Sequence, residues 1–258
     1  MGLVLETDIS ADYPGKPGIL RHARIAIDAG EILGLVGQSG SGKSTLALAV
    51  LGLLDHTGAR ISGKTVLLGR DLLNCDRNQL RDVRGRLISL VPQSPVAALN
   101  PALRIERQLR EAWRAHSREP WSAQQKRVTE LLEAVGISTP QAFLRRFPRQ
   151  ISVGQAQRVL IAMALLHAPP LVIADEPTSA LDVITQKDVL DLLARIVTER
   201  HMSMLFISHD LPAVATICHR LAILYAGEIV ECGPVGEVLG SPQHAYTKQL
   251  IAAAPKWQ

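Results

Sequence analysis

Aromatic residues and cysteines are both scarce in this chain of 258 residues. Aromatics make up only 3% of the sequence, too few for a surface that stacks nucleic-acid bases. The cysteines form no CxxC pair and have no metal-ligand spacing, which argues against a disulfide scaffold and a zinc site. Cys75, Cys218 and Cys232 are therefore expected to be reduced, mostly buried thiols of a cytosolic protein.

A long uninterrupted apolar run is also missing. The longest apolar stretch, residues 159–174, is broken by His167, Pro169 and Pro170, whereas a bilayer span needs about 20 apolar residues. The chain begins without a basic segment followed by an apolar one, so no signal peptide is predicted. If the protein works at a membrane, other chains must supply the membrane-spanning part.

Charge of one sign is not concentrated anywhere. The chain has 28 basic and 24 acidic residues, a formal net charge of +4, and the basic residues are dispersed. Direct binding to nucleic acid is therefore not predicted. Hydrophobic residues make up 47% of the chain, which suits one α/β domain with an aliphatic core, or such a core with a smaller inserted subdomain.

Apolar runs that alternate with amphipathic segments predict a mainly parallel sheet. Strands are expected at residues 3–9, 19–27, 31–36, 171–175, 204–208, 221–225 and 229–232. Helices are expected at residues 43–54 and 183–200, the second with Ile184, Leu190, Leu193 and Val197 at helical spacing.

Residues 104–168 have a different character and predict a helical insertion. One helix there is expected to begin at a capping box formed by Ser122 and Gln125 and to end at Gly136. Its buried face is expected to contain Val128, Leu131, Leu132 and Val135.

A glycine-rich loop between a predicted strand and a predicted helix carries the strongest chemical signal. It matches the pattern GxxxxGK[ST] with Gly37, Gln38, Ser39, Gly40, Ser41, Gly42, Lys43 and Ser44. The glycines let backbone N–H groups converge on phosphate oxygens at the positive end of a helix. Lys43 is expected to reach the β- and γ-phosphates of a nucleotide, and Ser44 is expected to hold Mg²⁺. Thr45, in the same helical turn, is a further candidate for nucleotide binding.

Two acidic residues follow a buried strand at residues 171–175. The strand is expected to place Asp175 at the carboxyl edge of the sheet, where ligands bind in open α/β folds. Asp175 is predicted to hold Mg²⁺, and Glu176 is predicted to polarise the attacking water. An apolar run that ends in two acids is weak evidence alone, but it is strong after a phosphate-binding loop.

Together these motifs resemble the ATPase subunit of ABC transporters, from Tyr13 to about residue 255. Residues 151–155 are similar to the LSGGQ signature of that family. The resemblance implies a P-loop NTPase (RecA-like) core with antiparallel β-strands at the N-terminus and an inserted helical subdomain. We expect one ABC ATPase domain at residues 1–258, with its core at 1–92 and 169–258 and its helical subdomain at 93–168.

The resemblance also implies roles for single residues. Gln93 fits a glutamine that contacts Mg²⁺ and the attacking water, and His209 fits a histidine near the γ-phosphate. Tyr13 fits an aromatic residue that stacks on adenine. Residues that would meet a partner ATPase are Ser152, Gly154 and Gln155 in the signature, and Asp182. Without the resemblance, Ser152 and Asp182 are ordinary helix caps.

The signature departs from the family pattern at Ile151 and Val153, in place of leucine and glycine. Val153 matters more, because a β-branched residue disfavours positive φ and adds bulk near a phosphate. We expect the signature to work, because Ser152, Gly154 and Gln155 are retained.

Two further stretches, residues 92–101 and 241–250, resemble importers of oligopeptides, dipeptides and nickel. This implies an ATPase bound peripherally at the cytoplasmic face of the inner membrane, with ATP and Mg²⁺ at its site. Its expected partners are two permease subunits, a second ATPase of the same or a different chain, and indirectly an extracytoplasmic solute-binding protein. The transported solute, whether peptide, nickel or a metal chelate, stays open.

Two other classes of function are alternatives to the importer. A non-transport ABC ATPase acting on nucleic acid or the ribosome usually has coiled-coil insertions or two cassettes, and neither is found. A P-loop GTPase should contain an NKxD motif, which is missing, and a small-molecule kinase would not need the signature.

Overall fold

The computed structural model describes residues 2–254, apart from the side chains of Asp55 and His56. Pro255, at the end of the predicted resemblance, lies outside the described residues. The strands, in chain order, are β1 (Leu3–Tyr13), β2 (Lys16–Asp28), β3 (Ile32–Val36), β4 (Arg60–Leu67), β5 (Arg70–Asp71), β6 (Ile88–Val91), β7 (Leu171–Asp175), β8 (Ser203–Ile207), β9 (Arg220–Tyr225) and β10 (Glu228–Pro234).

The helices connect and cover these strands. The α-helices are α1 (Lys43–Val50), α2 (Arg77–Val83), α3 (Pro95–Ala98), α4 (Ile105–Arg114), α5 (Trp121–Ala134), α6 (Pro140–Leu144), α7 (Val153–Leu165), α8 (Val183–Glu199), α9 (Leu211–Ile217), α10 (Val235–Gly240) and α11 (Ala245–Ala253). Short 3₁₀ helices lie at Leu54–Thr57, Leu72–Asn74 and Pro148–Gln150.

The strands form two sheets. The smaller is antiparallel with the order β2-β1-β4-β5, and β1 and β2 form a hairpin in which Tyr13 pairs with Lys16. The larger has the order β10-β9-β3-β8-β7-β6, in which β9, β3, β8, β7 and β6 are parallel and β10 is antiparallel to β9. The predicted antiparallel strands at the N-terminus are therefore present, as is the mainly parallel sheet.

The parallel strands are buried on both faces. Alternate residues of β3 belong to different clusters: Ile32 and Val36 to one, Leu33 and Leu35 to the other. The first cluster includes the helices of the insertion, and the second includes α1 and the antiparallel sheet. Because side chains alternate across a strand, both faces must be apolar, which explains the continuous apolar runs.

The topology brings the ends of four strands together. In the order β3-β8-β7-β6 these neighbours are parallel, with Leu35 paired to Ile207, Asp175 to Ile207, and Val91 to Ala174. Their carboxyl ends therefore lie at one edge of the sheet. The residues that follow them in sequence are the phosphate-loop, Asp175–Glu176, Gln93 and His209 candidates.

Several local predictions were wrong. The helix predicted at 43–54 ends at Val50, because Gly52 adopts φ +64°. Ser122 and Gln125 form no capping box, since α5 starts one residue earlier, at the buried Trp121, whose indole N–H donates to Glu106 Oε1 over 3.2 Å. The face expected to be buried in α5 is buried, and Gly136 follows the helix with φ +84°.

Helix α8 also differs in part from the expectation. Ile184 was placed in its apolar stripe but is 79% exposed, because the buried stripe starts only at Val189. The cysteines are free thiols, with Cys75 and Cys218 partly buried and Cys232 exposed, so burial was overestimated for Cys232. Strands β4, β5 and β6 were not predicted.

Candidate active site

The glycine-rich loop joins β3 to α1 at the carboxyl edge of the sheet. A Cβ at Gly37 would lie 2.2 Å from the backbone oxygen of Leu224, so no larger residue fits there. Gly40 and Gly42 adopt φ +80° and +109°, in the left-handed region. Helix α1 begins directly afterwards at Lys43. The loop therefore needs these glycines for its shape, as its phosphate-binding assignment requires.

The Lys43 ammonium folds back over this loop. The side chain is buried, and its Nζ donates to the backbone oxygens of Gly37, over 2.7 Å, and Gln38, over 3.1 Å. Burial lowers the pKa of Lys43, whereas the nearby carboxylates of Glu176 and Asp175 act to raise it. The lysine is thus a cation held by neutral acceptors and able to exchange them for an anion.

Asp175, the last residue of β7, pairs with the start of α1. The Ser44 hydroxyl lies close enough to its carboxylate to act on the pKa of Asp175. Burial raises the pKa of Asp175, and the Glu176 charge adds to this, while Ser44 and Lys43 counteract it without restoring the usual value. The pair presents hard oxygen donors at the loop.

Glu176 connects three strands. Its backbone has φ +46°, uncommon for a residue with a side chain, and its N–H donates to Ile207 of β8 over 2.9 Å. Its Oε2 accepts a hydrogen bond from Gln93 Nε2 over 2.8 Å. Its Oε1 lies 3.3 Å from Nδ1 of His209. Of the three residues predicted to be catalytic, Glu176 therefore contacts both of the others.

A cleft of about 650 Å³ opens beside these groups. Its lining consists of Tyr13, Lys16, Ile19, Ser39, Gly40, Gly42, Lys43, Ser44, Thr45, Gln93 and Glu176. A smaller cavity of about 130 Å³ shares Glu176 and is lined by His209. The structure thus brings the predicted adenine, phosphate, metal and catalytic residues to one place.

The signature residues do not line this cleft. They begin helix α7, where the Ser152 hydroxyl accepts from the Gln155 N–H and Gln155 Oε1 accepts from the Ser152 N–H, both over 3.1 Å. Ser152 therefore caps the helix as expected, and it forms a capping box with Gln155. A Cβ at Gly154 would lie 2.8 Å from the Thr185 methyl group, so the signature helix packs closely against the start of α8.

Val153 occupies the first turn of α7. It adopts helical rather than positive φ, and its side chain is 40% exposed. The glycine-only backbone that would make a valine harmful is therefore missing at this residue, and the described residues of the chain leave its side chain partly exposed.

Asp182 caps helix α8. Its Oδ1 accepts from the Thr185 N–H over 3.0 Å and its Oδ2 from the Thr185 hydroxyl over 2.7 Å. These hydrogen bonds lower the pKa of Asp182. The carboxylate is therefore used by its own helix, next to the signature.

Sequence reasoning missed some residues at the site. Lys16 and Ile19 line the cleft, because the β1–β2 hairpin extends beside the phosphate loop. The hydroxyl of Tyr246 accepts a hydrogen bond from the Gln38 N–H over 3.0 Å. Tyr246 was noted only as part of a subfamily stretch, and no local pattern could place it at a loop 208 residues away.

Comparison with known families decides the identity. The model of the family described as "ABC transporter" matches residues 20–179. The chain belongs to the ABC transporter family. This membership removes the GTPase and small-molecule kinase alternatives.

Individual relatives of this ABC chain are ATP-binding proteins of transporters. The peptidoglycan transport ATP-binding protein YejF of Agrobacterium fabrum is 45% identical over 91% of this chain and 43% of that protein. The oligopeptide transport ATP-binding protein OppD of Bacillus subtilis is 40% identical over 94% of this chain and 68% of that protein. The ABC chain thus spans less than half of the first relative and about two thirds of the second.

A solved structure confirms the expected fold of the ABC chain. The ATP-binding cassette MJ0796, a dimer in a post-hydrolysis state with ADP and phosphate, has a TM-score of 0.77. It is 27% identical, and the match covers 90% of this chain and 98% of that one. Within residues 2–254 of the ABC chain, no helix combines the length and hydrophobicity needed to cross a bilayer.

Proposed function

We propose that this chain hydrolyses ATP to power an importer of peptides. The observation that carries the proposal is the contact of Glu176 with both Gln93 and His209 beside the phosphate-loop cleft. The relatives named as transporters of oligopeptides and peptidoglycan support peptide, or a peptide-bearing fragment, over nickel as the solute.

ATP is the nucleotide that the cleft is proposed to bind. The loop at residues 37–42 and the start of α1 present backbone N–H groups, and the Ser41 hydroxyl is buried with no hydrogen-bond partner within the described residues. Lys43 would exchange its two carbonyl acceptors for the β- and γ-phosphates. The Tyr13 ring, which also lines the cleft, would stack on the adenine.

The donor set beside the loop fits Mg²⁺. The Ser44 hydroxyl and the neighbouring Asp175 carboxylate are hard oxygen ligands, and the Gln93 side chain adds an amide oxygen nearby. These three residues would hold the ion, which when bound would neutralise charge on the phosphates.

Hydrolysis then needs a base and positioned water. Glu176 would accept a proton from the water as its oxygen attacks the γ-phosphorus, and the bond from that phosphorus to the bridging oxygen would break to release ADP. Gln93 and His209 would orient the carboxylate and the water, because they already contact the two carboxylate oxygens.

A second ATPase would complete the site. Ser152, Gly154 and Gln155 lie outside the cleft at a helix N-terminus, which favours an anion, so each signature would close over ATP held by the partner. Asp182 would lie at the same interface, since Gly154 packs against Thr185. The partner is either a second copy or a different chain, arranged head to tail.

Closure of the two ATPases over ATP would move two permease subunits, which they would contact at the cytoplasmic face of the inner membrane. We propose that residues 93–168 form a helical subdomain, with the core at residues 1–92 and 169–258. Gln93 at the start of that subdomain would transmit the state of the ATP site to the permeases. An extracytoplasmic solute-binding protein would act only indirectly, and no direct contact with nucleic acid is expected.

A pull-down tests these partners. The tagged full-length chain is recovered from detergent-solubilised membranes, and bound proteins are identified by mass spectrometry. A Lys43→Ala chain serves as a matched control for contacts that depend on ATP. Recovery of two multi-span permeases, with or without a second ATPase, is the expected result. Recovery of ribosomal or nucleic-acid-bound proteins alone would favour the non-transport alternative.

A further inference from the structure

The phosphate-binding loop contacts the last described helix of the chain. The hydroxyl of Tyr246, in the first turn of α11, accepts a hydrogen bond from the backbone N–H of Gln38 over 3.0 Å. We infer that Tyr246 is a positioning residue that holds the phosphate-binding loop in its nucleotide-ready shape. The inference rests on the proposed function, since it concerns the loop proposed to bind ATP.

Both backbone polar groups of Gln38 are hydrogen-bonded within the protein. Its carbonyl oxygen accepts from the Ser41 N–H over 3.1 Å, which closes the turn, and also from Lys43 Nζ over 3.1 Å. Its N–H is held by Tyr246 from the other side. The two peptide groups on either side of the Gln38 Cα are therefore both held, one through its N–H and the next through its carbonyl oxygen.

Binding of ATP changes one of these contacts and leaves another. Lys43 donates to the oxygens of Gly37 and Gln38 and would redirect one or more of its three N–H groups to a phosphate. The contact from Tyr246 involves no atom of Lys43, so it persists while the lysine moves. A loop held in the bound conformation loses less freedom when it binds, and this raises its affinity.

Contacts with neighbouring residues hold Tyr246 and the start of its helix in place. Its ring stacks on Tyr225 at a centroid distance of 4.1 Å and an interplanar angle of 24°. Its N–H donates to Nδ1 of His244 over 3.2 Å, which caps α11. The Glu231 carboxylate accepts from the N–H groups of Gln243, over 2.8 Å, and His244, over 3.1 Å. The hydroxyl therefore has little freedom to follow the loop.

Strand β9 also supports the phosphate-binding loop at Gly37. Tyr225 ends β9, and the preceding Leu224 places its backbone oxygen where a Cβ of Gly37 would lie. Strand β9 therefore bounds the start of the loop at Gly37. The next residue, Gln38, is hydrogen-bonded to Tyr246, whose ring stacks on Tyr225 of β9. A purely packing role for Tyr246 would need the ring but not the hydroxyl.

Substitution of the hydroxyl alone separates these roles. Tyr246→Phe keeps the ring on Tyr225 and removes only the bond to Gln38. Tyr225→Phe is the matched control, because no hydrogen bond from its hydroxyl is found within residues 2–254. The Kd for ATP is measured on each full-length variant by calorimetry, and protection of the Gln38 amide is measured by hydrogen exchange.

Tyr246→Phe is expected to raise the Kd for ATP about three- to tenfold, the range for loss of one hydrogen bond. The Gln38 amide should exchange faster, and in the assembled transporter KM for ATP should rise while kcat stays within about twofold. Tyr225→Phe should leave the Kd within about twofold of the wild type.

The possible outcomes separate a failure of the positioning role of Tyr246 from a failure of the proposed function. An unchanged Kd in Tyr246→Phe, with ATP binding intact in the wild type, overturns the positioning role alone. An equal rise in both tyrosine variants also overturns it, because the effect would then come from the stacked pair. A wild-type chain that binds no ATP overturns the positioning role together with the proposed function.

Discussion

Gln93 donates through Nε2 to Oε2 of Glu176 over 2.8 Å, a contact between residues 83 positions apart. It exists because β6 and β7 are parallel neighbours whose carboxyl ends coincide. One end of the contact is the proposed base, and the other begins the segment that leads into the helical insertion. The state of the active site and the position of that segment are therefore physically linked.

The first prediction concerns Val153. Val153→Gly should change ATP turnover by less than about twofold, because the residue has helical φ and a partly exposed side chain. Glycine in a helix costs up to about 1 kcal/mol relative to alanine, so a slightly lower melting temperature is expected. Val183→Gly is the matched control, since Val183 is also the first residue of its helix and exposed. A tenfold gain in turnover would show that the natural signature is impaired.

The second prediction concerns Lys43. Lys43→Ala should weaken ATP binding by about 10- to 150-fold, since a hydrogen bond to a charged group contributes about 1.5–3 kcal/mol. Calorimetry on the purified chain measures it. Lys64→Ala removes an exposed ammonium that lies 3.5 Å from Glu6, outside the residues that line the cleft, and should bind ATP normally. Equal affinity in the two variants would remove Lys43 from the site.

The third prediction follows from the raised pKa of Asp175. The folded state binds this proton more tightly than the unfolded state, so the charged carboxylate destabilises the fold at neutral pH. Asp175→Asn should therefore melt at a higher temperature than the wild type at pH 7.5 without nucleotide. The difference should shrink as pH falls through the folded-state pKa of Asp175 and vanish below its unfolded-state pKa. Its Mg²⁺-dependent ATP turnover should nevertheless be lost.

Asp182 provides a control of the opposite sign. Its pKa is lowered by the hydrogen bonds from Thr185, so its charge stabilises the folded chain at neutral pH and that contribution is lost in acid. Asp182→Asn should not raise the melting temperature at pH 7.5. A rise in both variants would show that charge removal, rather than the environment of Asp175, causes the effect.

Much of the fold could be predicted because its local signals agree with its tertiary structure. The strand before the phosphate loop and β7 are apolar on both faces and bounded by glycine, proline or acidic residues. Ser152 caps α7 as expected, and its capping-box partner Gln155 lies within the same helical turn. The convergence of Asp175, Glu176 and His209 followed from the parallel order of their strands.

The errors arose where distant contacts outweigh local ones. Packing of Trp121 shifted the start of α5 away from Ser122. Ile184 fits the helical period of α8 but lies in an exposed first turn, a position that periodicity does not reveal. Strand β6 is short, so its sequence alone does not predict a strand, and it is defined by its pairing with β7. Tyr246 reaches Gln38 only through the folded chain.

Turnover of Glu176→Gln tests the central claim most directly. The variant keeps the size of the side chain, but one carboxylate oxygen becomes an NH2 group, so the side chain cannot accept a proton from water. Phosphate release is measured on the complex purified with its partners, and where the partner ATPase is a different chain its own base is disabled in both samples. ATP binding should be retained, and turnover should fall at least about 100-fold, or about 2.7 kcal/mol of barrier. Equal turnover in variant and wild type would contradict the assignment of Glu176 as the base.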